Sequence, residues 1–512
     1  MSSSSRSCVP SECLARAARG ACVLLAALLA CAPALAADAE RWYRLALDGR
    51  DCGWMVERIA ERPDGTVRTE TESLMRMGRM GQAIEVRSRS AFEERADGTP
   101  LRVEGERGSG ADAVHSAWTF DGAQIAIEQR QGGRVTTQRV AAPAPGWLSP
   151  AAADRRVRAA ELAGEATVEF RTVDPEHGPT EMRVRRTRVG PETVDLGGRP
   201  VAAVAWRTEL SILDRPGTDW VDASGTVVRS RVDLGVGVLE STLVDRAAAT
   251  AAIVPVEVMS RTFIAAGGDG RRLPQATCAV LRVRARDGSL GDLPTAGAQR
   301  VERTGADAAT VSIDAAAGSA ASDAERADPR FLAASATADC DDAAIRAFAE
   351  RAAAGPTSAP APGDAAVRAE ALRRAVHRHI TRKNLASGLA TASQALATRA
   401  GDCTEHAVLL VAALRAQRIP ARVASGLAYV DAPGHPNSFG WHMWTQAIVD
   451  GRWIDLDATL PADGPRFRAS RLLTGTSAAD GASMDADLSA IVNLIGDLAI
   501  AVESVDGGTA KP

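Results

Sequence analysis

The chain has 512 residues, more than one ordinary hydrophobic core can organise, which implies about two to four domains. Apolar residues make up 46% and the net charge is −4, so the composition is that of an ordinary globular protein. No basic excess is available to bind nucleic acid or an anionic membrane surface.

Residues 1–36 read as an export signal. Arg6, Arg16 and Arg19 accompany an apolar run from Ala21 to Leu29, and Ala34-Leu35-Ala36 has the small-x-small form of a cleavage site. The run is short and Pro33 interrupts it, which argues against a membrane anchor. Leu28-Leu29-Ala30-Cys31 also has the form of a lipobox, with Cys31 as the lipidated residue, so soluble export and lipid anchoring both stay open. No later segment reads as a membrane span, and the mature chain is expected in the periplasm or outside the cell. Cleavage after Ala36 leaves Cys52, Cys278, Cys340 and Cys403, too few for a disulfide framework.

Residues 38–250 read as β structure. Alternation marks Ile84-Glu85-Val86-Arg87-Ser88, Thr167-Val168-Glu169-Phe170 and Thr226-Val227-Val228-Arg229-Ser230. Asp121-Gly122, Gly197-Gly198 and Ser224-Gly225 supply the turns. Trp118 and Trp220 each precede a small turn, and Pro143 to Pro150 is a turn-rich break. Many short strands predict an antiparallel sandwich or half-barrel. Residues 251–315 read as a smaller β region, with Cys278 to Val283 and Ala309 to Ile313 as strands. Residues 316–330 read as a linker.

The 331–475 region opens helically. Asp341-Asp342 starts one helix, Gly355 to Gly363 is a loop, and Leu372, Val376 and Ile380 share a face of a second helix. Residues 476–512 form a tail whose apolar stretch, Leu488 to Val502, is expected to pack on a domain.

The informative segment is Gly401-Asp402-Cys403-Thr404-Glu405-His406-Ala407. Gly401 and Asp402 are helix-start residues, and Ala407, Leu410, Val411 and Leu414 follow as an apolar stripe. Arg415 and Arg418 suit the C-terminal end, and Pro420 stops the helix. Cys403 therefore sits at a helix N-terminus, where free N–H groups and the dipole favour a thiolate and can hold an oxyanion. By spacing alone, a buried structural cysteine fits as well. Downstream, Asp450-Gly451 predicts a two-residue hairpin that pairs Val449 with Arg452 and Trp444 with Asp457. His442 then faces Thr459 and has Asp457 as its diagonal neighbour, while Asp455 lies opposite Gln446, one step further away. The three residues have the chemistry of a triad: Cys403 as nucleophile, His442 as its base, Asp457 as the group that orients the base.

These segments resemble the transglutaminase-like superfamily, specifically its exported bacterial members. The resemblance is carried by 401–407, by Arg418-Ile419-Pro420-Ala421-Arg422 with Gly426 and Tyr429, by His442-Met443-Trp444, and by Trp453-Ile454-Asp455-Leu456-Asp457-Ala458-Thr459. It covers Phe331 to about Leu460, and the β-rich region resembles that of such proteins more weakly. It implies an α+β fold, with a papain-like core in which the helix bearing the cysteine packs on an antiparallel sheet, and the order Cys403, His442, Asp457 for the catalytic residues. Gln446 stands where many relatives carry Glu, a departure expected to touch the substrate surface more than the chemistry.

The expected activity is an acyl-thioester at Cys403 formed from a peptide or protein amide. Hydrolysis, as by a protease or amidase, is slightly favoured over amine transfer, because a periplasmic cleft with no evident lid admits water. A cross-linking transglutaminase, a cell-wall amidase and a non-catalytic envelope binding or assembly module are the alternatives. A zinc site from Cys403, His406, His435 and His442 explains less of the sequence, and no metal or cofactor is expected. His406 points along the helix and reads as structural. His377 and His379 read as solvated, Trp441 and Trp444 as cleft walls or core, and Gln394 as a candidate oxyanion donor.

Overall fold

The computed structural model describes residues 39–509 apart from 80–81, 109–112, 132, 176–177, 214, 235–236, 258–261, 287, 355–363, 383–389, 433, 480–497 and 507. The expected signal segment with Cys31, the 355–363 loop, and the Leu488 end of the apolar tail lie outside the described residues. The chain divides into two compact units, Leu14–Val258 and Met259–Pro512, and is mostly β with antiparallel sheets.

The first unit is one sheet. Its strands from Ala39–Leu47 to Arg134–Ala141 each pair with the next, and so do those from Thr167–Asp174 to Val238–Val244. The two meanders join at a seam where Ala39–Leu47 pairs with Val238–Val244, Tyr43 facing Leu243. The outer strands, Arg134–Ala141 and Thr167–Asp174, are consecutive in the chain, and the sheet forms a near-barrel. Alternation buries Trp118 against Phe92, Val103, Ile125 and Ile127. The interior also holds a buried ion pair, Arg186 to Asp219, whose carboxylate accepts from Thr208 at 2.6 Å and Ser230 at 2.8 Å. The Pro143–Pro150 break ends in a helix, Pro150–Leu162, that the sequence reading lacked. Its buried face is mostly alanine, too weakly apolar to show a period.

The second unit places eleven strands, among the described residues, in one sheet. The main path runs Gln299–Arg303, Ala308–Asp314, Cys278–Ala285, Leu498–Val505, Ile264–Gly267, His435–Val449, Ala421–Ala432 and Arg471–Ser477. The 251–315 segment is thus not a region by itself: its short strand Val256–Glu257 pairs with Val67–Arg79 of the first sheet, and its strands from Ile264 on share the sheet of His435–Val449, with Ile264 facing Phe439 and Val283 facing Ile500. Strand alternation is silent about partners two hundred residues away, which is why the sequence separated them. The tail supplies Leu498–Val505 to this sheet. The 316–330 linker is also ordered. Ser319–Ala320 pairs with Arg452–Leu456, and Ser322 and Glu325 close a capping box on helix Asp323–Ala327. Glu325 accepts from Arg422 and from the Trp453 indole, both at 3.0 Å.

The helices of this unit are Ala343–Ala354, Ala365–His379, Ala392–Thr398 and Cys403–Ala416. Asp342 caps the first, and Leu372 and Val376 of the second are fully buried, on the face expected. The helix Cys403–Ala416 is buried from Cys403 to Arg415 on all sides, the signature of a core helix. It packs on the strand His435–Val449, where the Thr445 hydroxyl donates to the Ala407 carbonyl at 3.1 Å.

Candidate active site

Cys403 is the first residue of its helix. Asp402 is the cap: its carboxylate accepts from the Thr404 N–H at 2.9 Å, and the Glu405 carboxylate accepts from the Asp402 N–H at 2.9 Å. This reciprocal box explains why Asp and Glu flank the cysteine. Gly401 lies against it, since a Cβ there would stand 2.4 Å from the Glu405 Cβ. Gly401→Ala is therefore expected to push Glu405 out of the box and to cost roughly 1–3 kcal/mol, read as a fall in urea midpoint with unchanged slope. Cys403 is in no disulfide among the described residues and has no exposed surface.

The hairpin has the expected register: Val449 pairs with Arg452 and Gln446 with Asp455. Asp450 and Gly451 both have positive φ, as a two-residue hairpin loop of this twist requires. The strand stops at Leu456, however, so the expected Trp444–Asp457 pair does not form. Asp457 turns away, its N–H donating to the Arg466 carbonyl. From that turn its Oδ2 still meets Nε2 of His442 at 2.8 Å. The other oxygen of Asp457 accepts from the Thr459 N–H at 2.8 Å and from the Thr459 hydroxyl.

The two aspartates of the hairpin live in opposite environments. Burial alone would push the Asp457 carboxyl up, but the Arg471 guanidinium, His442 and the Thr459 hydroxyl outweigh it and hold the carboxyl well below the usual carboxylate range. Asp455 faces the Trp444 indole at 2.7 Å, the Gln446 amide at 2.9 Å and the Ala298 N–H at 2.6 Å. Burial pushes its carboxyl up, and these neutral donors only partly offset that. Asp455 is a buried strut and Asp457 is the partner of the imidazole.

His442 is buried, and with Nε2 committed to Asp457 its Nδ1 has no hydrogen-bond partner among the described residues. The strand His435–Val449 thus presents an oriented imidazole with one free ring nitrogen, and the helix that begins at Cys403 packs on that strand. Residues 347–458 match the family model of the transglutaminase-like superfamily, a span that contains Cys403, His442 and Asp457. The chain carries a transglutaminase-like domain.

No curated protein matches the chain. Among solved structures it is similar to a beta-barrel-like protein of a domain of unknown function from Brucella abortus, at 14% identity over 42% of this chain and 98% of that one, with a TM-score of 0.33. It is also similar to a candidate cysteine protease from Cytophaga hutchinsonii, at 14% identity over 49% and 90% of the two chains, with a TM-score of 0.28. A third likeness is to the periplasmic domain of TgpA from Pseudomonas aeruginosa, at 18% identity over 36% and 75%, with a TM-score of 0.23. Among the described residues no helix is long and apolar enough to cross a membrane.

The remaining polar residues of the transglutaminase-like domain fall into structural places. His406 takes the Asp402 carbonyl one turn back. His435 stacks on Phe263 at 4.3 Å, away from His442, and among the described residues no group of three or more His, Cys, Asp or Glu is placed to hold a metal ion. His377 and His379 are not solvated as expected: each is half-buried and bonds a carbonyl, of Ala458 at 3.1 Å and Leu396 at 2.7 Å. Gln394 closes a capping box on Thr391 through its amide oxygen. Trp444 is core, its indole spent on Asp455. Gln446 is fully buried between Arg422 at 3.0 Å and Asp455.

Two arginines were missed. Arg471 reaches Asp457 with Nε at 2.8 Å and Nη2 at 2.7 Å. Nothing in the spacing of Arg466, Arg468 and Arg471 singles it out. Arg373 is fully buried and donates to the carbonyls of Asp457, Leu460, Pro461, Ala462 and Gly464, which shape the turn after Asp457. A signal for it existed: Arg373 falls within the apolar stripe of Ala369, Leu372 and Val376, where an unpaired charge would not be tolerated.

Proposed function

We propose that the transglutaminase-like domain is a thiol enzyme that forms an acyl-thioester at Cys403 on peptide or protein amides. The observation that carries this reading is the buried His442–Asp457 hydrogen bond, which leaves Nδ1 of His442 free beside the cysteine helix. The core is read as papain-like, with the cysteine helix packed on an antiparallel sheet.

In this reading His442 Nδ1 takes the Cys403 proton, and Asp457 holds the Nε2–H tautomer and stabilises the imidazolium. The thiolate forms a bond to the amide carbonyl carbon, and the Cys403 N–H, which lies outside the capping box, receives the developing oxyanion. The intermediate collapses by breaking the C–N bond, and the leaving amine takes the proton from His442. The thioester then passes to water, which makes the protein a protease or amidase of the cell envelope. Export by residues 1–36, with or without a lipid at Cys31, supplies that location. Amine transfer is the second reading, favoured by one observation: Cys403 has no exposed surface and His442 is 3% exposed, so little water reaches the pair before substrate does.

The test is alkylation of the full-length protein with iodoacetamide, followed by mass spectrometry of each cysteine peptide. Cys403 is expected to react faster than Cys278, the exposed free thiol, and His442→Ala is expected to slow it by about 10²-fold or more. Equal labelling of wild type and Cys403→Ala would sink the reading.

A further inference from the structure

Oδ2 of Asp457 receives two partners, and only one of them has a role in the chemistry above. His442 Nε2 stands at 2.8 Å from it, and the Arg471 guanidinium meets the same oxygen through Nε and Nη2. The third nitrogen of Arg471 donates to the Ser470 hydroxyl at 2.6 Å. The Arg471 side chain is nine-tenths buried and Asp457 is wholly so. Arg471 lies beyond 347–458, outside the span that matches the family model.

The sheet explains how both side chains reach one carboxylate. The strand Ala421–Ala432 separates the strands of His442 and Arg471; His442 faces Gly426 on it, and Arg471 faces Ala428. The register shifts between Ser425 and Gly426, and a Cβ on Gly426 would stand 2.0 Å from the Leu472 carbonyl oxygen. Only glycine permits that approach. With hydrogen and methyl at the two intervening positions, the imidazole and the guanidinium both close on Asp457.

We propose that Arg471 is a positioning residue of the site: its guanidinium fixes which carboxylate oxygen faces His442 and keeps that oxygen an acceptor in acid, so that it sets the acid limit of Cys403 reactivity. The proposal rests on the reading of Cys403, His442 and Asp457 given above. A carboxylate that takes a proton can no longer orient the N–H of the imidazole or stabilise its cation. The guanidinium beside Asp457 favours the ionised form, so ionisation persists as pH falls; without the guanidinium, protonation comes at higher pH. The acid limb must therefore move up when the charge is removed. Other charged groups around the pair are already engaged. Arg373, from helix Ala365–His379, meets the Asp457 carbonyl and is paired with Glu370. On the cysteine helix, Asp402 and Glu405 serve the capping box and His406 the Asp402 carbonyl. Arg468 lies close enough to Arg471 to be repelled by it, and Asp455 is bound to neutral donors.

The experiment is the pH profile of the Cys403 alkylation rate in full-length wild type, Arg471→Gln, Arg471→Lys and His442→Ala, with Cys278 as internal reference and a thermal melt for each. Arg471→Gln is expected to move the acid limb up by about one pH unit or more, and Arg471→Lys to keep the limb near its wild-type position while lowering the rate. A mere structural role would lower the plateau and leave the limb in place. Superimposable limbs in wild type and Arg471→Gln overturn the proposal, as does a limb in Arg471→Lys displaced as far as in Arg471→Gln. If Arg471→Gln does not fold, Arg471→Met, which also removes the charge, takes its place on the same criterion: a limb moved up supports the proposal, a limb left in place overturns it. A wild-type Cys403 no faster than Cys278 and indifferent to His442→Ala would overturn the catalytic reading itself, a result distinct from a wild-type limb that ignores Arg471.

Discussion

Asp457→Asn is expected to lower turnover at Cys403 by about 10⁴-fold, and Asp455→Asn by less than about 10-fold, although the two residues are neighbours on one hairpin. The difference follows from their surroundings. Asp457 is held ionised among Arg471, His442 and Thr459, and an amide there offers His442 the wrong hydrogen-bond sense and leaves Arg471 without its counter-charge. Asp455 is surrounded by neutral donors, and burial already disfavours its charge. An asparagine oxygen can still accept from the Trp444 indole and the Gln446 amide. Single-turnover acylation with a chromogenic amide or thiol-directed ester measures both variants. A larger loss in Asp455→Asn than in Asp457→Asn would reverse the assignment.

The second large effect concerns Arg373. Arg373→Met is expected to destabilise the second unit by roughly 3–5 kcal/mol, because it strips a buried charge from Glu370 and leaves carbonyls of the 457–464 turn without donors. The 457–464 turn carries Asp457, so Cys403 alkylation should slow in parallel. Arg373→Lys is expected to recover little, since a single ammonium cannot span the carbonyls from Asp457 to Gly464 that the guanidinium fork reaches. Urea denaturation followed by tryptophan emission reads the stability. An unchanged midpoint in Arg373→Met would show that the turn holds itself.

What was legible in the sequence was local. Asp450-Gly451 determines the hairpin register through the turn geometry, and that register correctly set Gln446 against Asp455. Gly401-Asp402 and the stripe after it marked the start of the cysteine helix. What was hidden depends on long-range pairing or on single long side chains. Asp457 meets His442 from a turn and not from a strand pair, so the two side chains touch through a backbone geometry other than the expected one. Arg471 belongs to a strand two places away in the sheet, and no period in the chain reports that distance. Residues 316–330 look like a linker by composition, yet Glu325 is fixed by Arg422 and Trp453, more than ninety residues downstream.

The seam of the first unit has a consequence for the order of folding. Asp48 and Val238 are hydrogen-bonded across it and lie 190 residues apart in the chain. At about 5–20 residues per second, the strand Ala39–Leu47 is made some 10–40 seconds before the strand that covers its second edge. Until then that edge is an open template for other strands. Closure of the near-barrel is therefore expected to be slow and to depend on the last strand made, and loss of Val238–Val244 should convert a folded unit into an aggregating one.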